Sequence, residues 1–291
     1  MKIGFHRNNL KYSVNESFFD EWTSQMAYVL GFTFADGNIY KTSLSWDIQK
    51  RDENILKKIN IALNSDYPIK KQRESSCRLR INNRILIKGA VDKGLLPKKS
   101  LRLVLPRIPQ KFIRHFVRGY LDGDGWVVTR SGRDEIDSGF VCGNRSFLEN
   151  LSKMIASETG VVGRVREKKK ITPKGFKSTT FLIEYYSAKA VKVLDWLYEN
   201  LKLNDIYLDR KYKKYLRAKK LSVYLKSGTK KVRVVQKQLQ RPLREVLSDL
   251  YLDKHLDGVQ IANILNVHSS SIYRWLERTG IKYVAHKSGY R

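Results

Sequence analysis

The chain of 291 residues is poor in cysteine, with only Cys77 and Cys142. Two cysteines are too few for a cysteine-rich metal cluster or a disulfide framework, which excludes the class of small disulfide-bonded secreted domains. No apolar run reaches the length of a bilayer span, and the first ten residues are polar and basic, unlike a signal peptide. These absences predict a protein of a reducing cytoplasm (bacterial, phage or organellar matrix) with no membrane partner.

Acidic residues are scarce: 28 Asp and Glu stand against 57 Lys and Arg, which gives a net charge of +29. Such an excess in a chain with 42% hydrophobic residues is typical of nucleic-acid-binding proteins. Ribosomal binding would fit the charge equally well, so charge alone selects no function. Residues 210–241 contain no Asp or Glu at all. This basic run, interleaved with tyrosines, predicts a tether along phosphates, and a linker without fixed contacts is the alternative.

Two short apolar segments, residues 27–37 and 116–125, look like copies of each other, because each ends in Asp-Gly. In each segment three residues recur at every fourth position and share one helix face: Ala27, Gly31 and Ala35, then His115, Gly119 and Gly123. Small residues on that face let two backbones approach closely. If the two helices pack together, Asp36 and Asp124 meet at one end. Their mutual repulsion, added to the negative helix ends, would be offset by a divalent cation.

The elements around the two segments repeat as well. Each Asp-Gly end is followed by two strands, a helix, a hairpin and a further helix, so both halves read αββαββα. We expect Gly37 to end the first helix as a C′ glycine. The predicted fold class is α+β: two pseudo-symmetric αββαββα repeats that form a DNA-binding saddle, plus a small all-α helix-turn-helix domain. The expected domains are a basic lead-in (1–20), repeat 1 (21–108), repeat 2 (109–222), a basic linker (223–245) and the helix-turn-helix domain (246–291).

The last segment has helix-turn-helix spacing. Residues 259–265 predict a short helix, 266–268 a turn, and a second helix begins with serines. A plain pair of antiparallel helices is the alternative. The second helix would present four residues to the major groove: Ser270, Ser271, Tyr273 and Arg274.

The paired segments resemble the LAGLIDADG family of homing endonucleases, in its single-chain, two-repeat form, over roughly residues 20–220. The resemblance implies a monomeric endonuclease of intron homing that cuts both strands of a long asymmetric DNA site and leaves cohesive ends. The family's metal-binding acid falls on Asp36 and on Asp124, with the carbonyls of Ala35 and Gly123 as companion ligands. Two or three Mg²⁺ ions are expected, with Mn²⁺ as a substitute and Ca²⁺ bound without turnover.

The resemblance also implies a lysine and a polar residue around each metal. These fall on Lys99 and Lys211, with Lys98 as the fallback, for stabilising transition-state charge or activating water. A generic phosphate contact is an equally good reading of each lysine. Gln49 is expected to orient water, but its counterpart falls near Gly143, so we expect two unequal sites. Asp122 matches an earlier motif acid, at which the first segment has Phe34.

The two predicted hairpins carry basic residues that we expect to contact DNA. In repeat 1 these are Lys70, Lys71, Arg73, Arg78 and Arg80, and in repeat 2 they are Arg164, Arg166, Lys168, Lys170 and Lys174.

Two other functions stay open at this point. A transcriptional regulator could keep the fold without cleavage, as in a bacterial sporulation-regulator family that joins a degenerate LAGLIDADG domain to a C-terminal helix-turn-helix. Those proteins typically lack the paired acids, and this chain has both. A maturase would bind intron RNA on the same basic surface. An intein is not expected, because no Cys or Ser starts a splicing block and the chain ends in Gly289-Tyr290-Arg291 rather than at an asparagine.

Overall fold

The computed structural model describes residues 11–97, 101–130, 135–171, 175, 177–226 and 230–281. The chain divides into two compact units, residues 1–215 and 216–291. Repeat 1 of the first unit contains α1 (Ser24–Asp36), β1 (Gly37–Tyr40), β2 (Ser43–Gln49), α2 (Glu53–Ala62), β3 (Ile69–Arg73), β4 (Ser76–Ile81) and α3 (Arg84–Asp92). Repeat 2 contains α4 (Ile113–Asp124), β5 (Gly125–Arg130), β6 (Glu135–Cys142), α5 (Arg145–Thr159), β7 (Val165–Ile171), β8 (Lys177–Tyr186) and α6 (Ser187–Tyr198). The predicted αββαββα order is confirmed in both repeats, and α7 (Asp209–Lys226) follows them.

Each repeat forms a four-stranded antiparallel sheet, in the order β1-β2-β4-β3 and β5-β6-β8-β7. The two sheets have the same register at their first strands, where Gly37 pairs with Trp46 and Gly125 pairs with Phe140. Trp46 and Phe140 are fully buried under the helices of their repeats. Because side chains alternate along a strand, the residues on either side of them point to the opposite, more exposed face.

The helices α1 and α4 pack against each other along a seam of small residues. A Cβ added to Gly31 would overlap the carbonyl oxygen of Phe116, and one added to Gly119 would overlap that of Tyr28. The predicted close approach of the two motif helices is therefore confirmed, and its contacts are backbone to backbone.

Gly37 has a different role from the one predicted, and Gly125 has the same role in repeat 2. Gly37 has φ −73° and ψ 149°, and so begins β1 in an extended conformation instead of ending α1 in the left-handed region. A Cβ on Gly37 would lie 2.6 Å from the carbonyl oxygen of Thr33. The same holds at Gly125, where the distance to the carbonyl oxygen of Leu121 would be 2.5 Å. The helix turns directly into a strand at both places, and only glycine leaves room for that turn.

The segments predicted as lead-in and as linker both contain packed residues. Phe18 and Phe19 are buried in the first unit. In the second unit, α8 (Lys230–Leu239) buries Val232 and Val235 in the core. A few apolar residues at helical spacing are enough to anchor a segment whose composition is otherwise basic.

The second unit is helical. After α8 come α9 (Leu243–Ser248), α10 (Gly258–Ile264) and α11 (Ser269–Arg278). Asp257 and Gln260 form a capping box at the start of α10, and a short turn leads into α11. The core includes Ile261 and Ile272, both fully buried. No helix among the described residues is both long and apolar enough to cross a bilayer.

Gly119→Ala should lower the free energy of unfolding by about 3 kcal/mol or more, because the new methyl group meets backbone that cannot move aside. Urea denaturation of the DNA-free protein measures this. The matched control is Gly89→Ala in α3, whose added Cβ would lie 3.1 Å from the Phe19 Cβ. There a gain in helix propensity of about 1 kcal/mol offsets the tight contact. Equal stability of Gly119→Ala and the wild type would contradict a backbone-to-backbone seam.

Candidate active site and nucleic-acid interface

The two motif aspartates meet at one end of the seam between α1 and α4. Asp36 is exposed and Asp124 is partly exposed. Gly123, the residue before Asp124, lies against the other repeat: its added Cβ would be 3.3 Å from Asp36 Oδ2. Burial is the largest cause that raises the pKa of the Tyr120 phenol, and both Asp124 and Asp36 add to it. The negative charges of both carboxylates thus act on the same phenol, as expected if the two helix ends are neighbours.

The carboxylates fit one kind of metal site. Among the described residues, no group of three or more His, Cys, Asp and Glu side chains is arranged to hold a metal ion. Asp36 and Asp124 therefore form a set of two carboxylates rather than a complete protein cage. Mg²⁺ commonly binds to one or two carboxylates and takes its other oxygen ligands from water and substrate phosphate. The residues present fit Mg²⁺ that is bound together with a phosphodiester.

A cleft of about 230 Å³ opens beside Asp36. Gln49, expected near the first metal, lines this cleft, together with Arg51, Asp52 and Arg210. Arg210 comes from the start of α7, and its Nε lies 2.8 and 2.9 Å from the two carboxylate oxygens of Asp52. The Arg210 side chain is more exposed (38%) than that of its acidic partner (11%). The cleft therefore contains an oriented cation that the sequence pattern did not single out.

The start of α7 is fixed on repeat 1 by a second contact. Asp209 accepts hydrogen bonds from Lys58 Nζ and from Asn54 Nδ2, both at 2.7 Å. Since Lys58 and Asn54 belong to α2, the end of repeat 2 reaches over to the other repeat. This anchoring holds Arg210 at the cleft beside Asp36.

Lys211, predicted as a catalytic lysine, is buried (1% exposed). Its Nζ donates hydrogen bonds to the carbonyl oxygens of Leu121, Asp122 and Gly125, at 2.6, 2.8 and 2.7 Å. Burial lowers the pKa of this ammonium to about 8, while the Asp122 carboxylate acts in the opposite direction. An ammonium has three N–H donors, and three carbonyls accept them. Lys211 thus caps the end of α4 and holds the turn that carries Asp124, which corrects its expected position beside the phosphate.

Asp122 also lies inside the protein. Its carboxylate accepts hydrogen bonds from the Tyr28 hydroxyl at 2.7 Å, the Leu208 amide at 2.8 Å and the Tyr198 hydroxyl at 3.3 Å. Burial raises the pKa of Asp122, against the effect of the Lys211 charge. Its counterpart Phe34 is fully buried too. The position is therefore buried in both repeats. Asp122 packs there through hydrogen bonds, and Phe34 packs there through apolar contacts.

Sequence reasoning missed a buried polar cluster on α4. Arg118 is 1% exposed and donates hydrogen bonds to the carbonyl oxygens of Ile206 and Leu197, at 3.0 and 2.9 Å. Its guanidinium also lies 3.5 Å from Asp205 and 3.0 Å from His115 Nδ1. Burial lowers the pKa of His115 to about 4, so the ring is neutral at pH 7 and accepts from Arg118. The sequence signal that could have indicated this cluster is Arg118, a charged residue within an otherwise apolar motif helix.

The basic residues predicted to contact DNA are mostly exposed. Those with exposed side chains are Lys70, Lys71, Arg73, Arg80, Arg164, Arg166 and Lys168. Arg78 is partly buried and forms an ion pair with Asp47 at 2.6 Å. Lys98, Lys99 and Lys174 lie outside the described residues, as does the side chain of Lys170.

Two of the four predicted groove-reading residues in α11 face inward. Ser270 and Arg274 are exposed, as expected. Ser271 is buried (7% exposed), because it lies one turn before Trp275 on the stripe that faces the core. The Tyr273 ring lies 2.5 Å from the position of a Cβ on Gly258 and so packs on the start of α10. The predicted base-reading set is thereby reduced to Ser270 and Arg274.

Lys211→Met should lower the free energy of unfolding by about 3–5 kcal/mol, because it leaves three buried carbonyls without a donor and removes a positive charge that acts on the buried Asp122 carboxylate. Thermal or urea unfolding without DNA or metal measures this. The matched control is Lys213→Met in the same helix, where the side chain is exposed and a change within about 0.5 kcal/mol is expected. If Lys211→Met unfolds like the wild type, the capping role is wrong.

Comparison with known families matches residues 111–196 to a family described as LAGLIDADG-like domain. The matched stretch includes α4 and the sheet of repeat 2. The predicted resemblance is confirmed for this repeat as a LAGLIDADG-like domain.

Two curated relatives are each named "Probable translation initiation factor IF-2". The one from Methanocaldococcus jannaschii is 24% identical over 202 residues, which cover 60% of this chain and 16% of the relative. The one from Thermococcus kodakarensis is 28% identical over 158 residues, which cover 50% of this chain and 12% of the relative. The chain thus spans a sixth or less of the length of the curated relatives it matches.

Two solved structures match this chain at low similarity. The meganuclease I-SmaMI bound to uncleaveable DNA has a TM-score of 0.45 at 14% identity, covering 69% of this chain and 91% of that one. Full-length DUF199/WhiA from Thermatoga maritima has a TM-score of 0.41 at 12% identity, covering 91% of this chain and 94% of that one. Likeness at this level carries no argument about function.

Proposed function

We propose that the protein is a site-specific endonuclease of the homing type, which cuts both strands of double-stranded DNA at a long asymmetric site with Mg²⁺. The observation that carries the proposal is the meeting of Asp36 and Asp124 at the accessible end of the seam, in a chain of net charge +29. An acid pair is an unfavourable feature on a DNA-binding surface unless it serves a cation. The protein acts as a monomer, because one chain supplies both acids, and it leaves cohesive ends.

DNA binding is supported by the chain's own charges. The exposed faces and rims of the two sheets carry lysines and arginines on β3, β4 and β7. Antiparallel strands can follow a DNA groove, and exposed cations along them neutralise phosphates with release of counterions. Affinity should therefore fall steeply as salt rises.

In the proposed reaction, each residue has a separate task. Asp36 and Asp124, with the carbonyls of Ala35 and Gly123, would hold Mg²⁺, which supplies Lewis acidity and an activated water when bound. Mn²⁺ would replace it with activity and Ca²⁺ without. Gln49 orients water in the cleft.

Two residues are proposed to stabilise negative charge on the scissile phosphates. Arg210, held by Asp52, donates hydrogen bonds to the scissile phosphate and stabilises the charge that develops there. Lys98, which precedes Lys99 as Arg210 precedes Lys211, is proposed for the corresponding task at the other phosphate. Lys211 acts indirectly, by fixing the turn before Asp124.

The two sites are proposed to be unequal. Since Gly37 and Gly125 are equivalent in register, the equivalent of Gln49 is Gly143, which has no side chain to hold water. Arg210 faces the cleft on the Asp36 side. The two strand cuts are therefore expected to differ in rate.

The second unit is proposed to extend the contact with DNA. Its α10 and α11 would act as a helix-turn-helix, with Ser270 and Arg274 as the exposed residues that reach base edges. An added reader lengthens the recognised site and favours an asymmetric target.

Asp36→Asn and Asp124→Asn should each lower the cleavage rate by about a hundredfold or more, because a neutral amide is a poor Mg²⁺ ligand. DNA affinity should stay within about threefold of the wild type, since shape and hydrogen bonding are kept. Strand-resolved cleavage and titration of the same duplex measure both quantities. Asp92→Asn is the matched control, because this exposed acid on α3 pairs with Lys88 away from the seam.

Two results would contradict the proposal. Cleavage by both Asn variants at the wild-type rate would reject the acid pair as the metal site. Binding of a discrete site by the wild type with Mg²⁺ but without any cut would favour the regulator instead.

A further inference from the structure

The common register of the two sheets lets each exposed residue of repeat 1 be compared with its equivalent in repeat 2. Gly37 and Gly125 start the first strands, and their partners Trp46 and Phe140 continue to Leu79 and Ile183 on β4 and β8. Counting one residue outward from these core positions gives the equivalent residues of the exposed faces. The comparison therefore rests on backbone pairing rather than on sequence similarity.

The exposed face of the repeat 1 sheet carries side chains with hydrogen-bonding groups, and Tyr40 is the aromatic residue among them. Four cross-strand rows lie on it: Tyr40 with Ser43, Asn38 with Ser45 and Arg80, Asp47 with Arg78 and Lys70, and Gln49 with Ser76 and Arg73. Each side chain in these rows can donate or accept a hydrogen bond.

The equivalent face of the repeat 2 sheet is more apolar, with Val128, Trp126, Val141 and Leu182 in its middle. In the same order, its rows are Val128 with Asp137 and Tyr186, Trp126 with Gly139 and Glu184, Val141 with Leu182 and Arg166, and Thr180 with Lys168. Asn38 is thus replaced by Trp126, Asp47 by Val141 and Arg78 by Leu182. The ring of Trp126 occupies the space beside Gly139, where a Cβ would overlap it. Val128 and Tyr186 are 44% and 38% exposed.

This apolar face has basic residues along its outer strand. Arg166 and Lys168 on β7 are exposed, and Arg166 is 3.9 Å from Glu184. Apolar side chains in the middle of an exposed sheet indicate a surface that a partner covers. A cationic rim around an apolar centre matches duplex DNA viewed into its major groove, with phosphates outside and base edges inside. In that groove, the apolar group that a base pair presents is the thymine C5-methyl.

We propose that the two sheets read chemically different halves of the target: repeat 2 reads thymine methyl groups, and repeat 1 reads guanine acceptors. This inference rests on the proposed DNA binding and adds the chemistry of the site. In repeat 1, Arg80 offers the bidentate donor pair that matches guanine O6 and N7. In repeat 2, its equivalent Glu184 is an acceptor and matches the cytosine amino group. Val128, Val141 and Leu182 form the contact surface for the methyl groups.

The test uses the full chain with Asp36→Asn and no added divalent cation, so that the bound DNA stays uncut. A bound site is first selected from a randomised duplex library. Each half is then assigned by the phosphate contacts that a rim variant abolishes: Lys70→Ala marks the half over repeat 1, and Lys168→Ala marks the half over repeat 2. Deoxyuridine next replaces thymine, which removes only the methyl group. Separately, 7-deazaguanine replaces guanine, which removes the N7 acceptor.

Uracil in the repeat 2 half should weaken binding about fourfold for each contacted methyl group, and uracil in the repeat 1 half should have little effect. The 7-deazaguanine substitution should show the reverse, with a loss of about tenfold in the repeat 1 half. Val128→Ala should reduce the difference in binding affinity between thymine-containing and uracil-containing DNA. Val162→Ala, an exposed valine outside the paired strands, is the matched control and should leave the difference unchanged.

The outcomes separate this inference from the proposed function. If the protein selects a site but uracil is neutral in both halves, the inference is overturned and the apolar face has another occupant, such as a second copy or a protein partner. If no sequence is enriched, the proposed DNA recognition itself fails.

Discussion

The contact between the backbones of α1 and α4 is the constraint on which the rest of the first unit depends. Gly31 and Gly119 bring the two helices so close that no side chain separates them. Because each helix runs straight into the first strand of its sheet, this seam also fixes where the two sheets begin. It further brings two aspartates to one place, against their mutual repulsion and the negative helix ends. The function proposed above is what makes that unfavourable placement useful.

The two halves that share this seam have diverged around it. The repeat 2 helix end is stabilised by the buried ammonium of Lys211, and the repeat 1 cleft contains Arg210, although both residues belong to the first turn of α7. The start of α7 thus acts on both acids. Lys211 caps the helix that ends at Asp124, and Arg210 faces the cleft beside Asp36. The exposed faces of the two sheets differ as well, since the repeat 1 face carries hydrogen-bonding side chains and the repeat 2 face is more apolar. A duplicated fold with one aspartate from each repeat at its seam and unequal surfaces suits a substrate that is nearly symmetric in shape and asymmetric in sequence.

Sequence patterns predicted the elements and the seam because those depend on periodicity. The small-residue stripe at Gly31 and Gly119 and the alternation of the strands are local signals that packing keeps. The prediction that Gly37 adopts a left-handed conformation is wrong. Glycine is needed there because of its close contact with Thr33, and the order of residues does not reveal that contact. Burial of Ser271 depends on the rotational phase of a short helix, which a shift of one residue changes.

Long-range contacts account for the other differences. Lys211 reads as one of many lysines in a basic run, and only the fold places it under the end of α4. Arg118 finds its acceptors at Leu197 and Ile206, far along the chain, and Arg210 finds Asp52 in the other repeat. Such partners cannot be inferred from spacing, since spacing describes one element at a time.

The central claim is that the paired acids at the seam make a cutting centre rather than a binding surface alone. The most direct measurement is to incubate the wild-type chain with Mg²⁺ and a randomised or genomic DNA library and to sequence every new end. The account predicts discrete pairs of breaks, one on each strand and offset to leave cohesive ends, which are absent without a divalent cation. Enrichment of bound sequences without any new ends would contradict it.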